Sequence, residues 1–236
     1  MDKEYWWFKA KRDLLYLFLK RYKINGNILV VGFGTGEDLK LINKFGKVSG
    51  IDINKDTLKF IDKKIRKNLV IGDFAIHTYK KGSFDCIIML DVLEHIKNDK
   101  EALKKIHRIL KKNGKLILSV PAFQFLYSPS NTYLNHYRRY NKSRLIKITS
   151  KYFNIKLIIY WNFFLFIPVS IIRLIKKAIK TKSKSDLIIV SKFVNKILYS
   201  VLSLENYLIS KFINLPLGIS FFMVCIRKGD IKKYSY

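Results

Sequence analysis

Five residues, Gly32-Phe33-Gly34-Thr35-Gly36, constrain this chain more than any other segment. They follow a short β-branched run, Ile28–Val31, and precede Glu37–Phe45, which reads as a helix. Small residues at positions 32, 34 and 36 let the backbone turn sharply from strand into helix. They also let a ligand come close without meeting a Cβ. The N–H groups that open the helix then point at that ligand. The spacing narrows the choice of ligand. A dinucleotide fingerprint is G-x-G-x-x-G, whereas here the third glycine comes one residue early and Glu37 stands where the fingerprint has glycine. A carboxylate there repels a pyrophosphate, so the loop suits a ligand with a carboxylate and an amine. Taken alone, such a loop also serves as a purely structural turn.

The rest of the chain repeats the strand-to-helix pattern. Residues 4–22 place Trp7, Leu14, Leu15, Phe18 and Leu19 on one helical face, and Asn25-Gly26-Asn27 ends that helix. Strands are expected at Val48–Ile53, Leu69–Ile71, Phe84–Leu90, Lys115–Val120, Phe153–Tyr160 and Ile219–Ile226. Helices are expected at Lys55–Arg66, Asp99–Leu110 and Ser143–Tyr152, with two basic helical stretches at 163–180 and 186–213. A turn at Lys112-Asn113-Gly114 separates helix from strand, and Lys180–Lys184 reads as a joint. Strands alternating with helices imply βαβ units around a mostly parallel, buried sheet. The expected fold is therefore α/β and Rossmann-like. It has a doubly wound seven-stranded sheet, an N-terminal helix over 1–22 and a helical insertion before the last strand. At 236 residues the chain fits one domain, with a core of 23–161 and 217–228 and a basic insertion over 162–216.

Acidic residues recur where strands end. Asp52 comes 20 residues after Gly32, where a carboxylate accepts both hydroxyls of a ribose. The same residue would also serve as an N-cap for Lys55–Arg66. Asp73 follows the third strand, with Phe74 beside it to lie on a flat base, and Asp91 and Glu94 follow the fourth. Together they line the rim of a doubly wound sheet, where such folds bind ligands.

With these residues in hand, the stretch 25–121 resembles the class I S-adenosylmethionine-dependent methyltransferases. ILVVGFGTGEDL is similar to the family's first motif, FDCIIMLDVLEHI to its fourth-strand motif and NGKLILSVP to its fifth strand. The resemblance implies S-adenosylmethionine as cofactor, with Gly32, Gly34, Thr35 and Gly36 at its methionine end. It implies Asp52 on the ribose, Ile53 beside the adenine, Asp73 on the adenine amino group, Phe74 packed nearby, and Leu90 and Asp91 bordering the cofactor. One residue departs from the pattern: Val30 stands where the family usually has an acidic residue that steadies the loop. The segments EYWWFKAKRD, NHYRRYNKSRL and LPLGISFFMVCIRKG are similar to a bacterial and archaeal subgroup of the family, which implies no particular substrate.

Methyl transfer from an activated sulfonium asks the protein mainly to position the acceptor, and asks for a base only if the acceptor holds a proton. His95 and His136 are the candidate bases. A structural hydrogen-bonding role is the alternative for each. His136, Tyr137, Arg139 and Tyr140 are expected to form a lid that binds the acceptor, the alternative being a surface loop with Arg139 in a salt bridge. Trp6 and Trp7 either cap the cofactor or simply pack on the sheet. No metal site is expected.

The chain carries a formal charge of +29, and only nine of its 46 basic residues are Arg. Lysine dominance of this kind follows from an AT-rich genome. The charge is nonetheless uneven, since residues 137–236 hold 20 basic and three acidic side chains. Such a field attracts anionic lipid, nucleic acid or phosphorylated substrates. Val190, Val194, Ile197, Val201, Leu204 and Leu208 draw an apolar helical stripe, and Arg173, Lys176, Lys177 and Lys180 follow the apolar run Phe163–Ile167. Helices of this composition suit a membrane interface, and equally a lid packed on the domain or on a second subunit. The apolar stretch Leu157–Ile172 is interrupted and shorter than the roughly 18–20 residues of a spanning helix. The N-terminus does not read as a signal peptide, and two cysteines in apolar strands suit a reducing compartment, so a cytoplasmic protein is expected, peripheral at the membrane through 162–216. The leading functional expectation is a methyltransferase for a small-molecule, lipid-linked or glycan acceptor. The alternatives are an RNA-directed methyltransferase and a catalytically silent cofactor-binding partner subunit. Nucleic acid is less favoured, because Leu90-Asp91-Val92-Leu93 is not the Asn/Asp-Pro-Pro-aromatic box of base-amino methyltransferases.

Overall fold

The computed structural model of the chain describes residues 3–179 and 190–229. In chain order the elements are α1 (Trp6–Arg21), β1 (Asn27–Val31), α2 (Glu37–Ile42), β2 (Lys47–Asp52), α3 (Lys63–Arg66), β3 (Leu69–Ile71), β4 (Phe84–Leu90), α4 (Asp99–Ile109), β5 (Leu110–Pro121), α5 (Pro129–Tyr133), α6 (Lys142–Ser150), β6 (Phe153–Trp161), α7 (Phe166–Ala178), α8 (Lys192–Ser210) and β7 (Ser220–Arg227). One sheet runs β3-β2-β1-β4-β5-β7-β6. β1 pairs in parallel with both β2 and β4, and β7 pairs antiparallel with both β5 and β6. The chain moves outward from β1 to β3 and then returns to β4 on the other side of β1. The sheet therefore splits in direction between β1 and β4, and a crevice opens beyond their C-terminal ends.

Both faces of the sheet are covered, and the alternation along each strand assigns residues to one face or the other. Leu29, Val31, Ile87 and Met89 join a core with Leu103 and Ile106 of α4 and Leu145 of α6. Ile28, Val30, Cys86 and Ile88 join a second core with Leu14 and Phe18 of α1, Leu39 of α2 and Leu202 of α8. Val30 is thus a buried sheet residue, as its β-branched side chain suits.

Two local expectations are corrected. Lys55–Arg66 is not one helix: a 3₁₀ turn covers Lys55–Phe60 and α3 starts afresh, capped by Asp62, whose carboxylate accepts from Lys64 N. Between them Ile61 is extended and buried beneath Gly36, which is why the helix cannot run through. Lys112-Asn113-Gly114 is not a turn ahead of the strand but an irregularity within β5, where the pairing with β4 shifts register and Asn113 takes a positive φ.

In the insertion between β6 and β7, much of the apolar stripe on α8 faces outward. Val194, Ile197 and Leu204 are exposed, and the buried face is Leu202, Glu205, Asn206 and Ile209. α8 is held to α1 by polar contacts: Asn206 Nδ2 donates to Ala10 O (2.8 Å), Tyr199 Oη to Asp13 (2.9 Å) and Arg21 to Ser210 O (2.6 Å). Asn206 Oδ1 accepts from Trp161 Nε1, and the Glu205 carboxylate accepts the N–H groups of Asn162 and Phe163. The proposed joint Lys180–Lys184 and the start of the second basic stretch lie outside the described residues.

Asp99, which opens α4, is buried and paired with Arg138 (3.0 Å) and Arg144 (2.9 Å). Burial alone would raise its carboxyl pKa; the two guanidiniums outweigh that and hold it below the usual carboxylate range. Asp99→Asn should cost about 2–3 kcal/mol at neutral pH, because Arg138 loses its buried counter-charge. A folded-state pKa below the unfolded value gives stability that is complete above about pH 4 and fades as pH falls through the folded value. Urea titrations of both proteins at pH 7 and pH 3 should show the gap narrowing in acid; an unchanged gap would refute the assignment.

Candidate functional site

The crevice at the switch point is a cavity of about 950 Å³. Ten of the expected site residues line it: Gly32, Gly34, Asp52, Ile53, Asp73, Phe74, Leu90, Asp91, His95 and Tyr137. The glycines divide the work. Gly34 has open space where a Cβ would stand, so ligand can approach the backbone there. Gly32 and Gly36 are needed for packing: a Cβ on Gly32 would meet Val92 at 2.3 Å and one on Gly36 would meet Ile61 at 2.5 Å, both at positive φ. Neither Thr35 nor Gly36 lines the cavity.

The loop is steadied despite Val30. Gly32 N donates to Ile51 O (2.8 Å), Gly36 N to Phe33 O (2.9 Å) and Gly34 N to Asp52 Oδ2 (2.8 Å). Asp52 Oδ1 accepts from Asn54 N (2.9 Å). Asp52 thereby couples the loop to the end of β2 while each carboxylate oxygen keeps a lone pair for a ligand. Asp73 accepts from Ala75 N in the same manner (2.7 Å). Ile53 is 76% exposed, offering an apolar surface at the mouth, and Phe74 is buried beneath Lys105, whose ammonium lies 4.9 Å from the ring centre.

Asp91 anchors the other wall. It adopts a positive φ at the end of β4, accepts from Ser119 Oγ (2.9 Å) and forms an ion pair with Lys11 of α1. Burial alone would raise its pKa, but the Lys11 ammonium and the Ser119 hydroxyl hold the carboxyl below its usual range. Lys11 is itself buried and lies over the Trp7 ring. Sequence reasoning missed Lys11, although a signal was present: it sits in register with Trp7, Leu14 and Phe18 on the inward face of α1. Lys97, Glu101, Lys104, Lys105 and Arg108 also line the cavity and went unread; the i, i+3/i+4 and i+7 spacing of the last four places them along one side of α4, and Lys97 lies just before that helix.

The expected lid is only partly at the site. His95 and His136 come together, with ring centres 4.3 Å apart and planes near perpendicular. Tyr137 N donates to Glu94 O (2.9 Å), which fixes this loop against the end of β4. Burial, then the neighbouring His95, drops the His136 pKa to about 4, and burial also lowers that of His95. Arg139 and Tyr140 do not reach the cavity. The Arg139 guanidinium is buried and donates to the carbonyls of Ala122 (2.7 Å) and Ile219 (3.0 Å), tying the chain just after β5 to the chain just before β7. Tyr140 is fully buried with its hydroxyl 3.2 Å from Asp99. Trp6 and Trp7 do not line the cavity either; both pack on the core beneath α1.

Lys11→Met removes the counter-charge of Asp91 and should destabilise the fold by about 3 kcal/mol, and Lys11→Met/Asp91→Asn should recover most of that loss. Denaturant titration of the two variants checks this; equal losses in both would mean that the ion pair contributes nothing of its own.

Residues 29–118 match the model of a methyltransferase domain. Over 113 residues the chain is 36% identical to the ubiquinone/menaquinone biosynthesis C-methyltransferase UbiE of Wigglesworthia glossinidia brevipalpis, covering 42% of this chain and 45% of that protein. It is 34% identical over 102 residues to an uncharacterised protein of Methanocaldococcus jannaschii, covering 43% and 39% respectively. The chain thus spans less than half the length of these curated relatives. Among solved structures, a SAM-dependent methyltransferase from Archaeoglobus fulgidus shares the fold over 91% of this chain and 94% of its own, with a TM-score of 0.57 at 21% identity. The SpnF [4+2]-cyclase shares it over 93% and 82%, with a TM-score of 0.60 at 16% identity. The glycine loop, β2, β3 and β4 all lie within residues 29–118, the stretch that is similar to a methyltransferase domain.

Proposed function

We propose that the protein is an S-adenosylmethionine-dependent methyltransferase for a small-molecule, lipid-linked or glycan acceptor. The observation that carries this is the cavity wall itself: Gly34 open to ligand, Asp52 with acceptor capacity to spare, Asp73 and Phe74 beside it, and Leu90 and Asp91 opposite. Gly34 admits the methionine end of the cofactor, Asp52 accepts from its ribose, and Ile53 and Phe74 flank its base. When bound, the cofactor supplies an activated methyl group, and the protein's task is to orient the acceptor against it and exclude water. His95 and Tyr137 mark the acceptor end, since they line the cavity next to Asp91. A small acceptor agrees with the relatives' names: a quinone-biosynthesis C-methyltransferase and, at 25% identity over 107 residues, the phosphoethanolamine N-methyltransferase 2 of Caenorhabditis elegans.

A second surface bears on where the acceptor resides. α7 exposes Ile167, Ile171, Leu174 and Ile175, and α8 exposes Phe193, Val194, Ile197 and Leu204. Lys176, Lys177, Lys192 and Lys196 are interspersed with them. Among the described residues no helix is long and apolar enough to cross a membrane. Apolar side chains flanked by lysines are suited to lie in a lipid interface, with anionic headgroups meeting the ammonium groups.

Calorimetric titration should show one S-adenosylmethionine bound per chain. Asp52→Ala should weaken it about tenfold or more, through lost ribose hydrogen bonds and a loosened Gly34. Absence of binding to the folded wild-type protein would overturn the reading; binding without labelling of any extract component by radioactive cofactor would favour the silent partner subunit. In co-sedimentation the protein should bind anionic vesicles more than neutral ones, and less as salt rises. Equal sedimentation with both vesicles would remove the membrane surface.

A further inference from the structure

Glu94 is the most deeply buried titratable group at the site, and its Oε2 has no hydrogen-bond partner. A lone buried carboxylate is costly. At 1% exposure, with Oε2 unpartnered, the carboxyl calls for either a proton or a cation. Two imidazoles stand next to it. One ligand atom from each of Glu94, His95 and His136 lies within 4.8 Å of the others. Closing in by less than about 1 Å each would bring them to the usual metal–ligand distances of about 2.1 Å.

Both rings have an outer partner. His95 hydrogen-bonds to the Leu134 carbonyl, which leaves its other ring nitrogen with a lone pair. His136 Nδ1 lies 2.9 Å from Asn131 Nδ2. Asn131 is buried, and its Oδ1 accepts from Ser128 N (3.1 Å). A carbonyl partner of the kind His95 has fixes the ring of a metal-ligating histidine. His95 is exposed to the cavity and Glu94 is not, so the cluster has a buried floor and an entry path.

We propose that Glu94, His95 and His136 bind one divalent cation of borderline character, such as Zn²⁺, Co²⁺ or Mn²⁺, at the acceptor end of the cavity. Two imidazoles with one carboxylate favour these ions over Mg²⁺, and three protein ligands leave positions open. An acceptor presenting a hydroxyl or carboxylate oxygen would occupy an open position, and a hydroxyl held there would ionise more readily. This use in catalysis rests on the methyltransferase reading; the binding does not. A cation on His136 Nε2 requires Nδ1 to carry the proton and donate it, which asks Asn131 to turn its oxygen toward the ring. Asn131→Asp supplies that acceptor directly.

The test uses the full chain stripped by chelator, titrated with Zn²⁺ by calorimetry and with Co²⁺ by visible absorbance. One equivalent should bind, with cobalt bands diagnostic of imidazole and carboxylate ligation. Glu94→Gln and His95→Ala should each weaken binding about tenfold or more, and Asn131→Asp should strengthen it about tenfold. Circular dichroism confirms folding, and the exposed His95 gives a variant that does not disturb the core. Substoichiometric binding, or affinity unchanged in Glu94→Gln and His95→Ala, overturns the site. S-adenosylmethionine is titrated into the same stripped protein. Retained cofactor binding with failed metal binding sinks only the cation site, whereas the reverse sinks only the methyltransferase reading.

Discussion

The cavity depends on a single ion pair between distant parts of the chain. Lys11 belongs to the first helix and Asp91 to the end of the fourth strand, yet each is the other's main compensation for burial. Asp91 needs that compensation because it turns the chain at a positive φ straight into the segment that holds Glu94 and His95. The turn also brings Val92 beneath Gly32, so the glycine loop and the cavity wall that follows β4 are set against one another. An uncompensated Asp91 would disturb both walls together, which makes the N-terminal helix part of the site although it contributes no lining residue.

Most of the sheet was legible because its strands are buried on both faces, and β-branched runs bounded by turns announce them. The cavity wall of Gly34, Asp52, Asp73 and Asp91 was legible for a related reason: its residues closely follow or end their strands, so place in sequence determines place in space. What was not legible depends on residues far apart in the chain. Ile61 breaks a helix that its own segment would form, because Gly36 leaves a hole it fills. Arg139 looked like an acceptor ligand from its aromatic neighbours, but Ile219, just ahead of β7, arrives 80 residues later with a carbonyl for it. His136 and His95 were each visible, and their meeting was not.

The docking side of α8 was not legible for a different reason. Periodicity reports which residues share a face, not which face turns inward. Its apolar stripe was legible as a stripe, whereas the inward side is specified by Glu205, Asn206 and Tyr199 through hydrogen bonds. Buried polar contacts have demanding geometry, so they select one docking register where apolar packing would tolerate several.

That arrangement separates two roles that one helix face usually combines. The inner side of α8 fastens the insertion to α1, and through α1 to Lys11, using groups that the outer side does not touch. Outer residues such as Phe193, Ile197 and Leu204 are therefore free to vary in size and charge without loosening the attachment. The outer surface is thus joined to the cavity wall through α8, α1 and the Lys11–Asp91 ion pair, while its composition is set independently of the chemistry inside.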